Sequence, residues 1–227
     1  MTSEPLEITT ERGAVQALLT LPSQASWLYV LAHGAGAGMR HHFMEAIAGR
    51  LADNAVGTLR YEYPYMSAGS KRPDPAPKNE AVTRAVCEYA AREFAKLKLC
   101  AGGKSMGGRM TSQAQAAAPL PRIEALVFLG FPLHAPGRPA AVRGEHLERV
   151  TIPMLFFQGT RDTLADLTLL EPICNALGDR ATLHVIDGAD HSFAVLKRSG
   201  RTADEVLDEI AQTTASWLGC ARFFGSG

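Results

Sequence analysis

The sequence predicts an α/β fold: a mostly parallel, twisted sheet of about seven or eight strands with helices on both faces. Three observations carry that prediction. Short apolar runs alternate with longer amphipathic stretches, the pattern of strands joined by crossover helices. Several of the runs are continuously apolar, as strands covered on both faces are. The alternation keeps one character along the chain, so residues 1–227 are read as a single domain without a separate cap domain.

Seven strands are expected, at Val15–Leu21, Trp27–Ala32, Ala55–Tyr61, Leu97–Gly102, Ala125–Leu129, Met154–Gln158 and Thr182–Ile186. Five helices are expected, at His42–Asp53, Asn79–Ala95, Met106–Ala118, Asp166–Leu177 and Ala203–Leu218. In the last, Val206, Ile210, Thr213 and Trp217 recur at helical spacing and predict one buried stripe. Met66–Lys78 and Pro132–Val150 are rich in proline with scattered glycine and are read as long surface connections. No internal repeat is evident.

Composition narrows the function. Lys and Arg number 23, as do Asp and Glu, and this balance points to no nucleic acid and no anionic membrane as partner. Glu4, Glu7 and Glu11 stand where a signal peptide needs an apolar core. No uncharged apolar run approaches the ~18 residues of a membrane span. Cys87, Cys100, Cys174 and Cys220 lack the spacing of a zinc site or a redox pair, so they are read as reduced thiols of a cytoplasmic protein.

The chemistry is concentrated in Leu97–Gly108, which contains G-x-S-x-G from Gly103 to Gly107. The string is common; its context, between an apolar strand and a helical pattern, is what gives it weight. A serine at such a turn has a strained backbone, and flanking glycines remove Cβ clashes with neighbouring chain. Two phosphate-binding readings fail. A P-loop ending in Gly103-Lys104-Ser105 needs glycine where Lys98 stands, and a dinucleotide fingerprint in Gly34–Met39 needs glycine at Met39.

Ser105 is therefore the candidate nucleophile, with Met106 N–H as one donor to an oxyanion. The second donor is expected in the loop His33-Gly34-Ala35-Gly36, with Ala35 first choice and Gly36 second. His191, between the last strand and the last helix, is the candidate base. Asp162, after the Met154–Gln158 strand, is the candidate orienting acid; Asp190 is its rival, and Asp187 and Asp166 are weaker ones. The order Ser105, Asp162, His191 is that of α/β-hydrolases. His33, His41, His42, Tyr65 and His134 are expected to line the substrate site, walled by loops at His33–His42, Tyr63–Met66 and Pro132–Gly144. Glu62 and Arg109 are expected to form a partly buried supporting ion pair. His146 and His184 are read as surface or packing residues.

The strings LAHGAGAG (31–38), RYEYPYM (60–66), GGKSMGGRM (102–110), QGTRD (158–162) and DGADHSF (187–193) together resemble a small α/β-hydrolase family related to dienelactone hydrolases. That family includes bacterial hydrolases, the human testis-expressed hydrolase-like protein and a hydrolase-like subunit of the histone-acetylating NSL complex. The resemblance runs from about Val15 to Trp217 and implies Ser105, Asp162 and His191 as triad, with no cofactor and no metal. Dienelactone hydrolases proper use cysteine where Ser105 stands, which argues against dienelactone as substrate.

The expected reaction is hydrolysis of a small ester or thioester through an acyl-enzyme, with a small-molecule acyl substrate as the partner. A peptidase or lactonase would use the same triad, and a non-catalytic interaction module on this fold is the rival of a different class. An ordered set of nucleophile, acid and base is redundant in a scaffold, which favours the enzyme.

Overall fold

The computed structural model describes residues 2–11, 13–135 and 137–220. They form one eight-stranded sheet: β1 (Glu4–Thr10), β2 (Gly13–Thr20), β3 (Trp27–Ala32), β4 (Val56–Tyr61), β5 (Lys98–Lys104), β6 (Ile123–Leu129), β7 (Met154–Gly159) and β8 (Ala181–Ile186). The spatial order is β1-β2-β4-β3-β5-β6-β7-β8. β1 pairs with β2, and β2 with β4, in antiparallel fashion; the other neighbours are parallel.

The strand absent from the expectation is β1. It is an edge strand in which Ile8 alone is fully buried, and its glutamates read as polar chain rather than sheet. The six helices are α1 (His42–Asp53), α2 (Pro64–Ser67), α3 (Ala76–Glu93), α4 (Met106–Ala117), α5 (Leu167–Leu177) and α6 (Ala203–Gly219). α3 starts three residues before its expected position because its prolines sit at the cap and in the first turn, where a missing N–H costs nothing. α5 begins where Asp166 accepts a hydrogen bond from Thr168 N–H. α6 opens on a capping box between Thr202 and Glu205.

Period-two alternation along β3 divides the core. Leu28, Val30 and Ala32 face α3, α4 and α5, while Trp27, Tyr29 and Leu31 face α1 and α6. The stripe of α6 is rotated by one residue from the expected one: Thr214 and Leu218 are buried with Val206 and Ile210, whereas Thr213 and Trp217 are half-buried flanks. Trp217 keeps its indole N–H at the edge, donating to Thr182 Oγ1 at 3.1 Å.

The sheet order reverses between β3 and β5, and the chain segments leaving β3, β5, β6, β7 and β8 gather at one edge. That edge is where open parallel sheets place their sites. Of the two proline-rich connections, Met66–Lys78 holds the end of α2 and the start of α3, and Pro132–Val150 holds a 3-10 helix at Val142–Arg149. Among the described residues no helix is long and apolar enough to cross a membrane, and Cys87, Cys100, Cys174 and Cys220 are unpaired.

Candidate active site

Ser105 occupies the turn from β5 into α4 with φ 50° and ψ −115°, a conformation rare outside glycine. The turn forces close approach to β3. A Cβ on Gly103 would lie 2.2 Å from Ala32 O, and one on Gly107 would lie 2.6 Å from the same oxygen. Packing against β3 thus accounts for both glycines of the motif.

His191 Nε2 is 2.8 Å from Ser105 Oγ, and its Nδ1 is 2.7 Å from Asp162 Oδ2. Asp162 Oδ1 accepts from Leu164 N–H at 2.8 Å, and Oδ2 also accepts from Gln158 Nε2 at 2.5 Å. Burial pushes the Asp162 carboxyl up, but the hydrogen bond and charge of His191, the Leu164 amide and the Lys104 ammonium outweigh it and hold it below its ordinary value. An ionised Asp162 fixes the proton of neutral His191 on Nδ1, leaving Nε2 to accept from the serine hydroxyl. Asp190 is engaged in its own loop, accepting from Ser192 N–H at 2.8 Å and Ala194 N–H at 3.0 Å. Asp166 caps α5, and Asp187 lies within hydrogen-bond distance of Thr160.

The histidine loop is held from three sides. Besides the Asp190 turn, Phe193 adopts φ 63° and buries its ring, stacked on Phe43 at 5.9 Å. Lys104 Nζ donates to the His191 carbonyl at 2.6 Å and lies over the rings of Phe43 and Phe193, at 5.8 and 5.4 Å from their centroids. Burial lowers the Lys104 pKa to about 8 against the attraction of Asp162 and Asp190. Neither Lys104 nor Gln158 stood out in the sequence. Lys104 sits at the variable position of G-x-S-x-G, and Gln158 is hidden in an apolar strand; a polar side chain at a buried strand position was the available signal.

Ala35, in the loop after β3, lines both clefts at Ser105, and Met106, the first residue of α4, lines one of them. Gly36 departs from its expected alternative role: its N–H donates to Tyr65 Oη at 3.3 Å. Tyr65 is correspondingly not a substrate-lining residue but a buried tie for this loop. His33 is also displaced from its expected place. It is fully buried, Nδ1 donating to Gly34 O at 2.8 Å and Nε2 accepting from Tyr63 N–H at 3.1 Å. Both side chains tie the loop after β3 to the chain that follows β4.

Glu62 and Arg109 make no ion pair. Glu62 is taken by the same segment, accepting from Met39 N–H at 3.2 Å with its other oxygen 3.2 Å from His33 Nε2. Arg109 points the opposite way, its Nη1 3.4 Å from Gln113 Oε1.

Two clefts, of about 320 and 400 Å³, meet at Ser105. His41 and His42 line the larger one with His191, and His134 lines the smaller. Pro132, His134, Ala135 and Arg143 wall the smaller cleft as expected, but its other wall is Pro73, Asp74, Ala76 and Asn79 rather than Tyr63–Met66. His146 is a packing residue, 2.7 Å from Ser112 Oγ, and His184 pairs with Glu209 at 2.6 Å. Among the described residues no group of three or more His, Cys, Asp or Glu is disposed to hold a metal ion.

A strained serine at a strand-to-helix turn, with histidine and aspartate brought in from the next strand ends, is the arrangement of the α/β-hydrolase fold. The family model described as alpha/beta hydrolase domain matches residues 25–219, and the chain belongs to that family. Solved structures share the fold at low identity. An α/β serine hydrolase without lid from Xanthomonas campestris is 18% identical, with 96% of this chain and 95% of that chain covered and a TM-score of 0.75. Dienelactone hydrolase from Anabaena variabilis is 19% identical over 96% and 97%, with a TM-score of 0.77. Est1E from Butyrivibrio proteoclasticus is 16% identical over 95% and 99%, with a TM-score of 0.71.

Proposed function

We propose that the protein is a serine hydrolase that cleaves small esters or thioesters through an acyl-enzyme. The observation that carries this reading is the continuous chain from Ser105 Oγ to His191 at 2.8 Å and from His191 to Asp162 at 2.7 Å, set on a strained turn. Ser105 Oγ attacks the acyl carbon as His191 Nε2 takes its proton. The oxyanion is met by the N–H groups of Met106 and Ala35, the latter left as second donor once Gly36 is committed to Tyr65. Asp162 stays ionised and stabilises the imidazolium. His191 then protonates the leaving oxygen or sulfur, and water, deprotonated by the same nitrogen, releases the acid and restores Ser105.

The nucleophile is Ser105 and not a thiol: burial pushes Cys87 up to about 12 and raises Cys100 as well, which keeps both protonated. The narrower kinship with the testis-expressed and NSL-complex proteins rests on the motif strings alone. A cytoplasmic location is part of the same reading, supported by four cysteines that lack the spacing of a zinc site or a redox pair. The test is labelling with a fluorophosphonate probe. Wild type is labelled and Ser105→Ala, folded by circular dichroism, is not; a labelled Ser105→Ala or an inert wild type refutes the reading.

A further inference from the structure

The two clefts at Ser105 differ in charge. The larger holds His191 itself, so a leaving group that receives the His191 proton lies there. The acyl group then lies in the smaller cleft, beside Met106 and Ala35. This cleft contains two guanidinium groups, those of Arg109 on α4 and Arg143 on the 3-10 helix. Among the described residues neither forms an ion pair with a carboxylate within 4.0 Å, although the Glu80 carboxylate on α3 is near enough to act on Arg109. Arg109 Nε is enclosed and has no hydrogen-bond partner, and the Arg109 bond to Gln113 is long at 3.4 Å. Asp74 on the opposite wall is paired with Lys78 at 2.9 Å. Burial first, and the charge of Arg143 second, lower the Arg109 pKa from its ordinary value, with the Glu80 carboxylate offsetting part of this. Two like charges lining one part-enclosed space repel each other, and Glu80 offsets only part of what an anion in the cleft would relieve. Asn79, 1% exposed, also lines this cleft, its Nδ2 donating to Asp74 O at 2.8 Å and its Oδ1 without a hydrogen-bond partner.

We infer that the smaller cleft binds a carboxylate at the far end of the acyl group, so that the substrates are half-esters or half-thioesters of dicarboxylic acids. Arg109 and Arg143 are the residues that select it. The inference rests on the acyl-enzyme reading for its orientation, but the anion site can be tested apart from catalysis.

The experiment compares mono-p-nitrophenyl glutarate with p-nitrophenyl pentanoate in wild type, Arg109→Gln, Arg143→Gln and the double variant. Wild type favours the anionic ester, and the ratio of kcat/KM values falls about 10- to 100-fold in the double variant, the worth of hydrogen bonds to a charged group. Calorimetric titration with glutarate supplies the second readout: binding to wild type that is lost in the double variant. Fluorophosphonate labelling reports that each variant keeps a formed site. A wild type that hydrolyses the pentanoate but does not favour the glutarate overturns the inference and leaves the hydrolase reading intact. An unlabelled, inactive wild type overturns the hydrolase reading, and glutarate binding alone then decides the cleft. Absence of glutarate binding, or binding equal in the double variant, overturns it.

Discussion

Lys104 makes a prediction in which stability and activity move in opposite directions. Its ammonium is packed between Phe43 and Phe193 and donates to the His191 carbonyl. The fall from its ordinary 10.5 to about 8 is equivalent to about 3 kcal/mol of preference for the neutral amine in the folded state. In the unfolded chain the same lysine holds its proton until about pH 10.4. Below pH 8 folding therefore costs about 3 kcal/mol at this site, and the cost disappears as pH rises from about 8 toward about 10.4. Lys104→Met keeps the length of the side chain and removes the charge. It also removes a charge-assisted hydrogen bond worth about 1.5–3 kcal/mol, so the net gain at pH 7 is between about zero and 1.5 kcal/mol. Lys104 contributes less to holding the Asp162 charge than His191 and the Leu164 amide do, so that carboxylate stays ionised in the variant.

The assay is urea unfolding of wild type and Lys104→Met at pH 7, 8.5 and 10. Relative to wild type, the variant's unfolding free energy falls by about 2.5 kcal/mol between the first and last of these, which turns its advantage into a deficit. The same variant releases the His191 carbonyl, and its kcat/KM on p-nitrophenyl acetate is expected to fall about 10-fold or more, the scale of a lost positioning contact. A difference in unfolding free energy that does not change between pH 7 and 10 refutes the buried-ammonium argument. Full activity in the variant refutes the positioning role.

Asp162→Asn cuts kcat/KM by about three to four orders of magnitude through the lost imidazolium partner, while Asp190→Asn, which keeps the amide-accepting oxygen, costs less than about 10-fold; steady-state kinetics on both decides the acid. Because the Asp162 carboxyl is held below its ordinary value, its contribution to stability is present above the unfolded pKa and is lost as pH falls through the folded one. Acid unfolding followed by fluorescence should therefore show wild type's advantage over Asp162→Asn shrinking below about pH 4. Gly103→Ala drives a Cβ to 2.2 Å from Ala32 O and should cost more than ~3 kcal/mol or prevent folding, whereas Gly137→Ala, with nothing within 4 Å, pays only for its positive φ; thermal melts of both separate contact from conformation.

The parallel strands were legible because burial on both faces leaves uninterrupted apolar runs, and β3 is the clearest: every residue from Trp27 to Ala32 is buried. β1 was illegible for the converse reason, since an edge strand with one buried residue is under little pressure to look like sheet. The residues Ser105, His191 and Asp162 were legible because an α/β topology delivers loops to one edge in chain order, so position relative to the strands stands in for distance. What position cannot convey is the direction in which a loop side chain points. His33, Tyr65 and Glu62 lie within a few residues of the site in sequence, yet they turn beneath the loop after β3 and spend their polar atoms on its backbone.

That misdirection has a physical logic. The N–H of Ala35 can face an oxyanion only if its neighbours do not compete for the same space. Gly36 N–H is drawn off by Tyr65, Met39 N–H by Glu62, and His33 ties Gly34 O and Tyr63 N–H on either side of it. Residues that look like substrate contacts in the sequence are thus ones that engage the neighbouring amides of this loop, which leaves Ala35 N–H as the proposed donor. A loop that must hold one donor within a few tenths of an ångström of a developing charge needs more fixed polar partners than a loop that merely covers a cleft. The walls of the smaller cleft meet no such demand. Pro73, Asp74, Pro132 and Ala135 come from long connections with little regular structure. Arg109 and Arg143 can be substituted there without touching the hydrogen bonds that Tyr65, Glu62 and His33 make to Gly36, Met39 and Tyr63.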